Sequence, residues 1–319
     1  LGDMGRIRDD LVRRTGRETA IVAGGERPVP LEFEYVTTPI HQTIEVLLQQ
    51  GKAPVYVVHP TQAGALERAQ ALMSLNVCTK EEKRVIAEQI GGFRFTAGFG
   101  KTLSRLVRHG IGVHHAGMLP RYRRLVEQLT RAGLLKVVCG TDTLGVGINV
   151  PIRTVLVTSL VKFDGRRMRL LRAREFHQIA GRAGRPGFDT TGYVVVQAPE
   201  HEIENERLVM KAGDDPKKLK RIVRKKAPEG IPNWGKASFE RIIVAAPEPL
   251  QSRFDINHAM VFNIAHRPVD VPGALDHLLA DNDEEAEAKE AMRERAEAIK
   301  DSLVAAGVLA DDLSVMADL

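Results

Sequence analysis

Six short apolar runs, separated by stretches with helical periodicity, constrain the fold of this chain more than any other feature. They are EFEYVT (32–37), VYVV (55–58), GIGVHH (110–115), LLKVVCG (134–140), TVLVTSL (154–160) and GYVVVQA (192–198). Each has the length of a strand, and together they read as β-α units feeding a parallel sheet flanked by helices, an α/β architecture. Helix signals support this. Thr38 and Pro39 precede HQTIEVLLQQ and Gly51 follows it, while Pro120 opens RYRRLVEQLTRAG and Gly133 ends it. In the second helix Tyr122, Val126 and Leu129 share one face, and Arg121, Arg124 and Arg131 point elsewhere.

The 319 residues allow two domains at roughly 150 residues each, and 43% apolar residues supply a core for both, which excludes a disordered chain. No apolar run approaches the roughly 20 residues that cross a bilayer, and LGDMGRIRDD at the start has no signal-peptide core. A soluble, cytoplasmic protein with no membrane partner is expected. Cys78 and Cys139, without CxxC spacing, fit a reducing compartment and argue against structural zinc. After about residue 205 the β-branched runs thin out and Pro and Lys accumulate, so a boundary is placed near 210. This divides the chain into a leading segment (1–30), a sheet domain (31–210) and a helical domain (211–319). The stretch from Asp276 to Ala306 reads as a long amphipathic helix or helix pair, with Glu285 and Lys289 at i, i+4 spacing.

The net charge of +5 is unevenly placed. From Lys162 to Asp189 eight basic residues face three acidic ones, and KKLKRIVRKK (217–226) holds seven basic residues and no acid. Residues 281–297 hold eight acids and three bases. A basic block is either a solvated face or a phosphate-backbone contact.

GFGKT (98–102) has the end of a phosphate-binding loop but not its spacing, because the position five before Gly100 is Phe95; a turn before a helix is expected instead. His114 and His115, adjacent in a strand, point to opposite faces and cannot share a metal. No HExxH, paired CxxC or GxSxG signature occurs, and no metal site is expected. The informative pair is GTDTLGVGINVP (140–151), directly after a strand, and QIAGRAGRPGFD (178–189). Gly145 and Gly147 allow close backbone approach to a ligand, with Thr141 and Thr143 beside them. Arg182 and Arg185, three apart on an expected helix, project from nearly one face, as suits a polyphosphate.

This order of motifs resembles the second RecA-like domain of superfamily 2 helicases, specifically the superkiller-type (Ski-like, DExH-box) RNA helicases. VYVVHPTQAGA (55–65) resembles motif IV, and GIGVHHAGMLP (110–120) resembles the stretch before motif V. GTDTLGVGINVP resembles motif V, and QIAGRAGRPGFD resembles motif VI. The opening LGDMGRI is similar to residues just after motif III, which makes 1–30 a linker from a preceding RecA-like domain. SRFDINHAMVFNIAHR (252–267) resembles the start of a helical, winged-helix-like extension, and the C-terminal part resembles an accessory domain of a bacterial branch.

The resemblance implies the C-terminal half of an ATP-dependent helicase. Arg185 is then the arginine finger, Arg182 a second γ-phosphate contact, Gln178 a nucleotide ligand, and Gly147 a close backbone approach to ATP. Thr141 contacts a nucleic-acid phosphate. Pro60 and Thr61 stand where related helicases often hold a serine and a basic residue, which leaves Thr61 as a hydroxyl donor only. Lys217, Lys218 and Arg221 are the further phosphate contacts expected from the basic block. ATP and Mg2+ are the implied substrate and cofactor, with the magnesium ligands on the preceding domain, and single-stranded or structured RNA is the implied partner. Two alternatives stand beside this: a non-catalytic nucleic-acid-binding RecA-like module, and an ATP-dependent DNA helicase. Phe163, Phe188 and Tyr193 are expected in the core, as single aromatics beside strands usually are.

Overall fold

The computed structural model describes residues 4–22, 25, 27–141, 152–213, 215–248, 254–282 and 284–316. They pack as two compact units, Leu1–Glu248 and Pro249–Leu319. In the first, a leading helix α1 (Gly5–Thr15) buries no side chain and precedes β1 (Leu31–Val36), α2 (Ile40–Gln49), β2 (Val55–His59) and α3 (Gln62–Ala71). There follow α4 (Lys80–Gln89), α5 (Phe99–Arg108), β3 (Ile111–His114), α6 (Pro120–Arg131) and β4 (Val137–Thr141). The chain continues through β5 (Thr154–Val157), β6 (Val161–Phe163), β7 (Met168–Leu170), α7 (Ala173–Ala180) and β8 (Gly192–Gln197). It closes with α8 (Glu200–Ala212), α9 (Pro216–Lys220) and α10 (Lys236–Val244).

Six strands form one parallel sheet in the order β1-β8-β5-β2-β4-β3. The inner strands β2, β4 and β5 are buried at every residue, whereas the edge strand β1 alternates half-buried and exposed over Leu31–Glu34. Burial on both faces is why the inner strands read as continuous apolar runs. The expected helices form: α2 and α6 end before Gly51 and Gly133, both at positive φ. Tyr122, Val126 and Leu129 lie in the core. At GFGKT a helix starts at Phe99, and a Cβ on Gly100 would strike the Tyr122 hydroxyl, so that glycine serves packing.

TVLVTSL does not form one strand. β5 stops at Val157; the Thr158 hydroxyl donates to the Val58 carbonyl, and the Ser159 hydroxyl accepts from the Val161 N–H (3.0 Å), turning the chain outward into β6. β6 and β7 then pair antiparallel as a separate hairpin. Its turn is an Asp-Gly turn, with Gly165 at φ 102° and the Asp164 carboxylate accepting from Arg166 N and Arg167 N.

The packing boundary falls after Glu248 rather than near 210. Trp234, Phe239 and Ile242, from the segment leading into α10 and from α10 itself, are buried in the core of the first unit, with Phe239 against Tyr35 of β1 at 5.7 Å. The change in composition near 205 marks the end of the sheet, not the end of its core. The second unit holds α11 (His258–Ala265), α12 (Val271–Ala280) and α13 (Ala286–Ala305) around Ile256, Val261, Leu275, Met292 and Ile299. The tail is thus a helix pair, and among the described residues an antiparallel bridge joins Leu309 and Val315 where the resemblance implied a wing. Lys289 donates to the Ala280 carbonyl at the end of α12 (2.9 Å).

Candidate functional site

The chemistry-bearing residues gather at opposite ends of the same strands. α7 starts after the hairpin and runs back to the amino end of β5, where Ala183 bridges Ile152 and the Gly184 N–H donates to the Ile152 carbonyl (2.9 Å). β2 and β4 end side by side at their carboxyl ends, His59 opposite Thr141. A five-residue strand separates the two edges by about 15 Å.

At the amino edge stands an arginine-bearing turn. α7 ends at Ala180, so Arg182 and Arg185 do not share a helix face as expected; they lie in the turn that follows. Within that turn Gly184 stands at φ 83°, and a Cβ there would fall 2.5 Å from Val29 Cγ1, so no side chain fits. Arg27 straps this turn, donating through Nη2 to the carbonyls of Gly181 (2.9 Å) and Ala183 (2.6 Å) and through Nε to Val29 (2.7 Å). Gln178 is exposed on the last turn of α7, and Arg182 is half-buried. Arg185 grips Asp189 in a fork, Nε to Oδ2 and Nη2 to Oδ1, each 2.6 Å. The Asp189 side chain is 2% exposed and lies 3.5 Å from Arg153 Nε. Burial alone would raise its carboxyl pKa, but the Arg185 bonds outweigh that and hold it below the ordinary range.

The other end of α7 is held from far along the chain. The Glu248 carboxylate accepts from Ala173 N (2.8 Å) and Arg174 N (3.0 Å), capping a helix 75 residues earlier in sequence, as suits an anion at a helix N-terminus. The Glu175 carboxylate takes Arg172 N, the two terminal nitrogens of Arg169 and Lys162 Nζ. Burial works against its ionisation, yet these bonds hold its pKa down to about 2. Lys162, Arg169 and Arg185 are thus paired with carboxylates of the same stretch.

At the carboxyl edge, the exposed Thr61 caps α3, its hydroxyl oxygen accepting from Gly64 N (3.1 Å). The O–H of Thr61 remains a donor. Thr141 is buried, and its carbonyl accepts from the Tyr56 hydroxyl (2.9 Å). Beside them is a cavity of about 240 Å³ lined by Val58, His59, Pro60, Ser159, Lys162 and Phe163. The hairpin rises from this edge with Arg166 and Arg167 exposed at its tip. Phe163 is 58% exposed and Phe188 83%, so neither is core as expected; Tyr193 lies under Lys52 Nζ (4.2 Å) and the Arg153 guanidinium (5.8 Å). The Asp-Gly pair flanked by VKF and MRL was the signal for this hairpin. Lys217, Lys218 and Arg221 are exposed on and just after α9, apart from both edges in sequence, and Asp215 caps that helix. Gly147, like Gly145 and Thr143, lies outside the described residues.

His114 is buried with Nε2 3.3 Å from Glu127, and His115 is half-buried. His59 is 6% exposed; burial first, then the Arg68 charge, push its imidazole pKa down to about 4. The fold accommodates the neutral ring, while an unfolded chain takes up the proton near 6.5. Stability therefore falls as pH drops through the window from 6.5 to 4, by about 2 kcal/mol between pH 7 and 5. Urea unfolding at the two pH values measures this, and His59→Gln should remove most of the difference. An equal difference in that variant would assign the effect elsewhere.

Residues 40–187 match the family described as Helicase conserved C-terminal domain, and residues 198–316 match Domain of unknown function (DUF3516). The chain is 32% identical over 226 residues to Superkiller complex protein 2 of Mus musculus, covering 68% of this chain and 16% of that protein. It is 32% identical over 231 residues to Antiviral helicase SKI2 of Saccharomyces cerevisiae, covering 70% of the chain and 16% of that protein. Over 165 residues, 49% of the chain and 18% of the relative, it is 37% identical to Probable helicase HelY of Mycobacterium leprae. The matched region is thus under a fifth of the length of these relatives. Among the described residues no helix is long and apolar enough to cross a membrane.

Proposed function

Since the chain belongs to the superkiller-type, DExH-box RNA helicases and carries their C-terminal region, we propose that it supplies the second RecA-like half of an ATP-dependent RNA helicase. Neither a GxxxxGK[ST] loop nor a DExH sequence occurs in the 319 residues. A preceding RecA-like domain of the same protein therefore brings the phosphate-binding lysine and the magnesium carboxylates. The magnesium ligands are thus proposed for that preceding domain; among the described residues no group of three or more His, Cys, Asp or Glu side chains is gathered.

In this reading ATP lies against the amino edge. Arg185 meets the γ-phosphate, where charge spreads over the transferring oxygens, Arg182 makes a second contact, and Gln178 and the Gly147 backbone approach the nucleotide. The strand runs along the carboxyl edge, held through phosphates by Thr61 and then Thr141, by the hairpin arginines, and by Lys217, Lys218 and Arg221. A phosphate reaches Thr141 only when the groups covering it move, so Thr61 makes the first contact. Closure of the two RecA-like domains over ATP displaces this edge relative to the other domain and moves the strand. A cytoplasmic placement is part of this proposal.

The observation that carries the reading is the division of labour across one sheet: a strapped arginine turn at the amino ends and hydroxyl, cavity and basic hairpin at the carboxyl ends. Steady-state ATP hydrolysis by the complete protein, with and without RNA or DNA single strands, tests it. We expect RNA to raise kcat by roughly tenfold or more, with the stimulation declining as salt rises. Stimulation by DNA and not RNA would make this a DNA helicase. RNA binding without hydrolysis would make it the non-catalytic module.

A further inference from the structure

We propose that Asp189 is the positioning residue of Arg185, holding one edge of its guanidinium so that the other edge is presented to the γ-phosphate. This rests on the reading of Arg185 as the residue that meets ATP. A guanidinium has two edges able to pair with an oxyanion, one formed by Nε and a terminal nitrogen, the other by the two terminal nitrogens. Asp189 occupies the first edge completely, with both bonds at 2.6 Å. Among the described residues Arg185 Nη1, which belongs to the second edge, donates to no acceptor.

The tether is double. Asp189 Oδ2 also accepts the Arg185 backbone N–H (3.0 Å), and the Asp189 N–H donates back to the Arg185 carbonyl (2.9 Å). Backbone and side chain of Arg185 are thus referred to one carboxylate. That carboxylate is itself fixed, being 2% exposed and facing Arg153 from the other side. A free arginine side chain must lose about 2 kcal/mol of rotamer entropy to adopt one pose. Here that ordering precedes nucleotide arrival, the preorganisation that favours a transition state over a ground state.

The alternative is that Asp189 sequesters Arg185 and must release it. The two differ in sign. If Asp189 positions Arg185, Asp189→Asn in the complete protein should lower kcat roughly 10- to 30-fold, the fold-change that corresponds to the ordering entropy, with KM for ATP little changed. In an Arg185→Ala background the same substitution should lower kcat no further. A raised or unchanged kcat in Asp189→Asn overturns the proposal, as does an equal loss in both backgrounds, which would mark a structural role. If Arg185→Ala alone leaves kcat intact, the arginine assignment fails first and the proposal with it. Side-chain NMR of the arginines in the wild-type chain gives a test without activity. The Arg185 Nε–H should exchange slowly and lose that protection in Asp189→Asn; free exchange in the wild type would overturn the proposal.

Discussion

If Arg185 meets the γ-phosphate as proposed, Arg185→Lys in the complete protein is expected to lower kcat for ATP hydrolysis by about three orders of magnitude, nearly as far as Arg185→Ala. An arginine that meets the transferring phosphoryl group is worth about 10³- to 10⁵-fold in this chemistry. Lysine keeps the charge but offers a single ammonium, so it cannot hold the Asp189 carboxylate and a phosphate oxygen from two separate planar edges. The substitution therefore separates geometry from charge. Steady-state kinetics at saturating ATP and RNA measure it, and a lysine variant within tenfold of wild type would show that positive charge alone suffices.

Gly140→Ala prevents the first unit from folding to its native stability. Gly140 lies inside β4 between β2 and β3, and a Cβ there would run into the Tyr56 hydroxyl and the His114 carbonyl oxygen. A side chain could rotate away, but His114 O belongs to the neighbouring strand and moves only with the sheet. The expected loss is about 4 kcal/mol or more, in the range reserved for overpacking that has no side-chain escape. Urea denaturation followed by circular dichroism checks it. Adding Tyr56→Phe removes the hydroxyl and its bond to Thr141 but leaves the ring carbon at 2.9 Å and the backbone collision, so it should restore little. Full recovery in the double variant would place the strain on Tyr56 alone.

The sheet was legible because its inner strands are short, β-branched and covered on both faces, and periodicity reports such strands well. Motif spacing likewise singled out Gln178, Arg182 and Arg185, which lie on the last turn of α7 and in the turn after it. What spacing does not report is how a chain leaves regular structure. The run through Thr158 and Ser159 has strand composition, yet two side-chain hydrogen bonds bend it away and create the hairpin. Arg182 and Arg185 have helix spacing, yet the helix ends at Ala180, and the turn beyond it carries Gly184 at positive φ, packed against Val29. The packing division after Glu248 differs from the composition boundary near 210 for a related reason. Composition records where β-branched residues stop, whereas Trp234 and Phe239 extend the core past that point.

α7 is restrained at both ends by side chains from elsewhere in the chain: Glu248 grips its first two N–H groups, and Arg27 grips the carbonyls of the turn beyond its last residue. Mechanically it is a tie rod. Glu248 closes the first unit, and whatever follows it in the chain begins from that anchor. A helix of eight residues, held at its first N–H groups by Glu248 and beyond its last residue by Arg27, thus ties the position of the arginine turn to the end of the first unit.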